Sequence, residues 1–152
     1  MAAISSAPDG IAHAISLALA PSFLLTAIGA MLAMLTGRLG RIVDRARWIE
    51  QHFTPKDDPR HTHQVNQLRL IDQRIKYANR ALVLCTVSAV LICVVVAGLF
   101  LGALFSLALG SAMAIAFILA MLLLIVGLAH FLVEVRIAVE ATRVQDELLE
   151  RE

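Results

Sequence analysis

His130 and Glu134 stand one helical turn apart near the C-terminal end of a long apolar run. A polar pair at such a depth is a functional-site candidate, able to sense pH or hold a proton. Arg38 and Arg80 flank the other apolar runs at a similar level. An ion pair from Glu134 to one of them is therefore the simpler account of the carboxylate. His61 and His63 flank a threonine in a polar segment. Without further spaced ligands they make a weak metal signal, so no metal and no cofactor is expected. Cys85 and Cys93 both fall inside an apolar run, where free thiols act as small buried hydrophobes. No phosphate-binding glycine loop, nucleophile elbow or metalloprotease motif occurs in the chain. The expectation is a protein that is not an enzyme.

The other chemically distinctive stretch is "TGRLGRIVDRARWIE", 36–50, which brings four arginines to the end of a segment with no charge. Charge is absent between Asp9 and Arg38, and again between Arg80 and Glu134. A spanning helix needs about 20 apolar residues. The first gap holds one span, about 11–36, and the second holds two, about 81–104 and 107–133. A turn near Gly102, Ser106 and Gly110 separates the latter two. The composition agrees, with 59% hydrophobic and 16% charged residues where soluble domains average about 45–50% and about 25%. The N-terminal apolar stretch lacks a basic leader, and Pro21 would follow the "ALA" at Ala18–Ala20. It reads as a retained helix rather than a cleaved signal.

Ten Lys/Arg and five Asp/Glu lie in 37–80, a balance of +5, whereas 134–152 carries three Arg against six acids, −3. Positive-inside bias makes 37–80 cytoplasmic, with the N-terminus outside and the C-terminus inside. The basic segment is mixed with acids and tied to the bilayer, so a nucleic-acid partner is not expected. Apolar residues recur at steps of three and four through Leu39, Ile42, Ala46, Ile49 and Phe53. They do so again through Val65, Leu68, Ile71, Ile75, Ala78 and Leu82, and through Val133, Ile137, Ala141, Val144 and Leu148. The expected fold is all-α: one membrane domain, 1–152, of three transmembrane helices. These extend into a cytoplasmic helical hairpin, 37–80, turning near Asp58, and a C-terminal helix, 134–152. Together the extensions make a three-helix stalk. Trp48 and Tyr77 are expected to pack the hairpin.

Two patterns bear on interactions. "RIVDR" (41–45) resembles "RLIDQR" (69–74), and Asp44 and Asp72 are equidistant from residue 58. With Arg41 and Arg47 around one, and Arg69 and Lys76 around the other, a charged ladder across the hairpin is expected. It would also draw on Arg38, Arg45 and Arg80. In the first span, Ala18, Ser22, Thr26, Gly29, Ala33, Gly37 and Gly40 form a small-residue stripe. Such a stripe packs against the chain's own helices, packs between subunits, or lines a pore. Pro21 kinks this helix or acts as a hinge; Ser22 or Thr26 would serve the freed backbone groups.

"APSFLLTAIGAMLAMLTGRLGRIVDRAR" (20–47) is similar to the signature of bacterial domain-of-unknown-function family twenty-seven twenty-one. "RIKYANRALVLCTVSAVLICVVVAGLF" (74–100) and "FLVEVRIA" (131–138) resemble its later elements. The resemblance implies a small bacterial multi-helix membrane protein with no established activity and supplies no catalytic residues; the expected location is the bacterial inner membrane. Three spans enclose no useful pathway alone. The expected role is a scaffold or accessory subunit in the lipid bilayer, as a homo-oligomer or with an unknown protein partner. The alternative is a homo-oligomeric ion channel lined by the small-residue face of the first helix, whose basic inner mouth would favour anions.

Overall fold

The computed structural model describes residues 6–55, 60–105 and 107–146, with side chains from residue 12 to 140. The described residues form three helices: α1, Ser6–Gln51, α2, Arg60–Phe105, and α3, Gly110–Asp146. No strand occurs among the described residues. All three helices are long and apolar enough to cross a membrane. The protein is all-α, of multi-pass membrane type. The expected turn at Asp58 falls in 56–59, outside the described residues, as do Ser106 and the side chains of Ala141, Val144 and Leu148.

The chain divides into two compact units. One comprises Met1–Leu32 and Leu84–Ile125, the other Ala33–Val83 and Val126–Glu152. In both, burial recurs every seven residues. On α1 the buried positions include Ala14, Pro21 and Ile28 in the first unit, then Leu35, Ile42 and Ile49 in the second. On α2 they include Ile71 and Ala78, then Cys85 and Ile92; on α3, Ala120, then Gly127 and Glu134. A repeat of seven keeps one seam facing its neighbours where an ideal straight helix would drift about 20° per repeat.

In the first unit α2 and α3 meet through small residues. Cys85, Ser88, Ile92 and Ala120 are fully buried. Ser88 donates its hydroxyl proton to the Ala120 carbonyl at 2.7 Å. A Cβ at Gly98 would overlap Met113 Sδ, so the missing side chain is what lets Met113 lie against α2. In lipid, close approach of this kind replaces hydrophobic drive. The link between these helices is short. Leu107 N–H bonds the Gly102 carbonyl at 3.0 Å, closing the end of α2, and Met113 N–H bonds the Leu109 carbonyl at 2.9 Å, opening α3. Cys93, expected inside, is exposed.

In the second unit Ile42, Ile49 and Ile71 form a core, flanked by Ala46, Leu68 and Ile75. Its end is closed by Gln64, whose Oε1 accepts from the Thr54 N–H and hydroxyl, both at 2.9 Å. Gln64 Nε2 donates to the His52 carbonyl at 3.2 Å. Trp48 does not fill this core. It is half exposed, stacked on His52 at 4.7 Å. Isoleucines occupy the seam and leave the larger ring outside. Tyr77 instead faces His130, with ring centroids 6.2 Å apart.

Candidate functional site

Among the described residues, the second unit contains one fully buried charge, Glu134. It sits on the α3 seam seven residues after Gly127. Two arginines reach it from the other helices. Arg74 of α2 donates from Nε to Glu134 Oε1 at 3.1 Å, with Nη2 3.0 Å from the same oxygen. Arg38 of α1 brings Nε within 3.1 Å of Oε2. That contact is an ion pair without hydrogen-bond alignment, so Oε2 is buried with no donor among the described residues. Arg38 also lies over the Phe131 ring at 5.5 Å, a cation–π contact that fixes its direction. Taking Glu134 out of water costs several kcal/mol, roughly, and two guanidiniums are what offset it.

Arg38, Arg41 and Arg45 follow one face of α1. With Arg74, Ile42 and Ile71 they line an open cavity of about 330 Å³. Arg45 rests over the Trp48 ring at 4.8 Å. Glu134 holds two of the four guanidiniums from behind and is not in the lining. The local balance of four cations and one anion is +3. The arrangement is a basic, water-accessible concavity whose walls are fixed by a buried carboxylate.

The expected ladder is placed differently. Asp44 is exposed and has no ion-pair partner among the described residues. Asp72 pairs with Lys76 on its own helix at 2.6 Å. Ile42 and Ile71, the apolar members of the two similar motifs, take the inward positions, so both aspartates turn out. Arg47, Arg69 and Arg80 are exposed. Arg74 takes the place at Glu134 expected of Arg80. Arg74 lies seven residues before Ala81, which is fully buried, so the same seam turns it inward. His130 is not bonded to Glu134; its Nδ1 lies 2.9 Å from the Val126 carbonyl. His61 Nδ1 lies 2.9 Å from the Thr54 carbonyl and His63 pairs with Gln67. No group of metal-binding side chains forms among the described residues.

Along the small-residue stripe Ala18 is buried, but Ser22, Thr26, Gly29, Ala33, Gly37 and Gly40 are exposed. A Cβ at Gly29 or Gly40 would meet nothing within 4 Å. Pro21 lies inside continuous helix. Ser22 and Thr26 bond the carbonyls of Ala18 and Ser22, not that of Leu17, which Pro21 leaves without its usual donor.

Residues 18–144 match the family described as "Protein of unknown function (DUF2721)". The chain belongs to this family. The match takes in every element of the Glu134 site, as well as the small-residue stripe of this DUF2721 chain. No curated protein and no solved structure matches it.

Proposed function

We propose that this DUF2721 protein is a non-enzymatic membrane scaffold or accessory subunit, acting through charged cytoplasmic helices on a protein partner. One observation carries the reading. The second unit closes on itself through Ile42, Ile49, Ile71 and the Glu134 tie, and turns its remaining charge outward. Arg41, Arg45, Arg47, Arg69, Asp72 and Lys76 are all exposed. A unit whose core is closed by its own helices and whose surface is strongly charged offers that surface to a partner. The orientation, N-terminus outside and C-terminus in the cytoplasm of a bacterial inner membrane, rests on the charge bias.

The second reading, a homo-oligomeric channel, is favoured by the uncovered stripe from Ser22 to Gly40. Small residues left unpaired in lipid allow a second helix to approach closely. Native mass spectrometry of gently extracted protein separates the two. A stable complex with a different protein, lost on neutralising Arg47, Arg69 and Lys76, supports the scaffold. A closed ring of identical subunits, dispersed by Gly29→Leu, supports the channel and directs flux assays. A lone monomer sinks both.

A further inference from the structure

We propose that the cavity between α1 and α2 in the second unit binds a phosphate group through Arg38, Arg41, Arg45 and Arg74. Three observations converge. The lining holds four guanidiniums and no carboxylate, and Glu134, the carboxylate that pairs with two of them, lies behind the wall. Four like charges around one open concavity repel one another, and an anion between them relieves that repulsion. Two of the four are held in direction by Glu134, and Arg45 by the Trp48 ring. The guanidinium fork matches phosphate oxygens in pairs, and pre-set forks lose less freedom on binding.

The position selects the ligand class further. The charge-free run of α1 ends at Gly37. From Arg38 to Arg45 the helix rises roughly 10 Å. The polar headgroup layer on each face of a bilayer is about 5–7 Å deep. The cavity therefore begins where lipid phosphates lie and extends just beyond them. An anionic lipid headgroup and a soluble phosphate share this chemistry, and the test below distinguishes them.

Trp48 is the only tryptophan, and Arg45 lies on its ring, so its emission reports a change at Arg45. Full-length protein in maltoside micelles, which carry no phosphate, is titrated with inorganic phosphate against chloride at matched ionic strength. A parallel titration uses short-chain phosphatidylglycerol. The expected result is a saturable change in emission with at least one probe, weakened about tenfold by Arg41→Gln through loss of one charge-assisted contact. Arg47→Gln removes the same charge from the same helix outside the cavity and leaves the curve unchanged. Saturation with lipid alone identifies a headgroup site. Saturation with inorganic phosphate alone identifies a soluble anion, and saturation with both shows that the phosphate group itself is read. No saturable response to either probe overturns the proposal. So does an equal loss in the Arg41 and Arg47 variants, which shows diffuse charge attraction.

Discussion

Replacing Glu134 by glutamine keeps the shape of the side chain and removes its charge. The carboxylate is fully buried, and the Arg38 and Arg74 side chains retain 30% and 24% of their exposure. Deleting one partner of a buried ion pair costs about 3–5 kcal/mol, because the remaining charge is stranded. Here the stranded arginines keep a path to water, and the amide oxygen still accepts one N–H. The cost falls to about 2–3 kcal/mol once that screening is allowed for. For a chain of this length, about 1 kcal/mol moves the melting temperature by about 2–4 °C. Glu134→Gln should therefore lower it by roughly 4–12 °C. A thermal scan in detergent, followed by the emission of Trp48, reads the unit that contains the triad. A companion variant, Arg38→Met with Arg74→Leu and Glu134→Leu, removes all three charges at once. Its melting temperature should return to the native value or above, since apolar groups of similar volume replace buried ions at little cost. A native-like Glu134→Gln melting curve would refute the stranded-charge argument. So would a triple variant as damaged as the single one.

Asp44→Asn should leave the melting temperature unchanged, because Asp44 is exposed and unpaired among the described residues; a clear loss in the same scan would restore the cross-hairpin ladder. Ser88→Ala removes a buried hydroxyl donor to Ala120 and should cost about 1 kcal/mol or less, as interhelical hydrogen bonds in membranes do. Equilibrium unfolding in mixed micelles measures it. In detergent-extracted folded protein a membrane-permeant maleimide should modify Cys93 ahead of Cys85, which is fully buried. Peptide mapping that finds Cys85 modified first would contradict the packing of α2 on α3. Gly98→Leu should destabilise the first unit, because even its Cβ overlaps Met113, whereas a Cβ at Gly29 has nothing within 4 Å and Gly29→Leu should leave the fold intact. Circular dichroism melts of the two variants make the comparison.

The sequence by itself determined the number and kind of elements. Charge gaps long enough to cross a bilayer leave no other outcome for the chain between Asp9 and Arg38, or between Arg80 and Glu134. Beyond the apolar runs, polar residues contrast with apolar ones, so the spacing of Ile42, Ile49, Ile71 and Ala78 already marked the buried side. Inside the runs that contrast disappears. Nearly every face is apolar, and which one is covered depends on fit between helices. Ala18 through Gly40 offered the longer stripe of small residues on α1. The close contact went instead to Cys85, Ser88 and Gly98 of α2, against Ala120 and Met113.

The partners of Glu134 show the same division. A carboxylate at that depth must find a cation, and sequence reasoning could place Arg38 beside it. On α2 it pointed to Arg80, and the residue that arrives is Arg74. The two differ by about 9 Å along the helix and about 240° around it. Only the tertiary packing, by setting Ala81 against its neighbours, turned Arg74 inward and Arg80 out. Charge and length are properties of the chain, while facing is a property of the seam that closes when the helices pack.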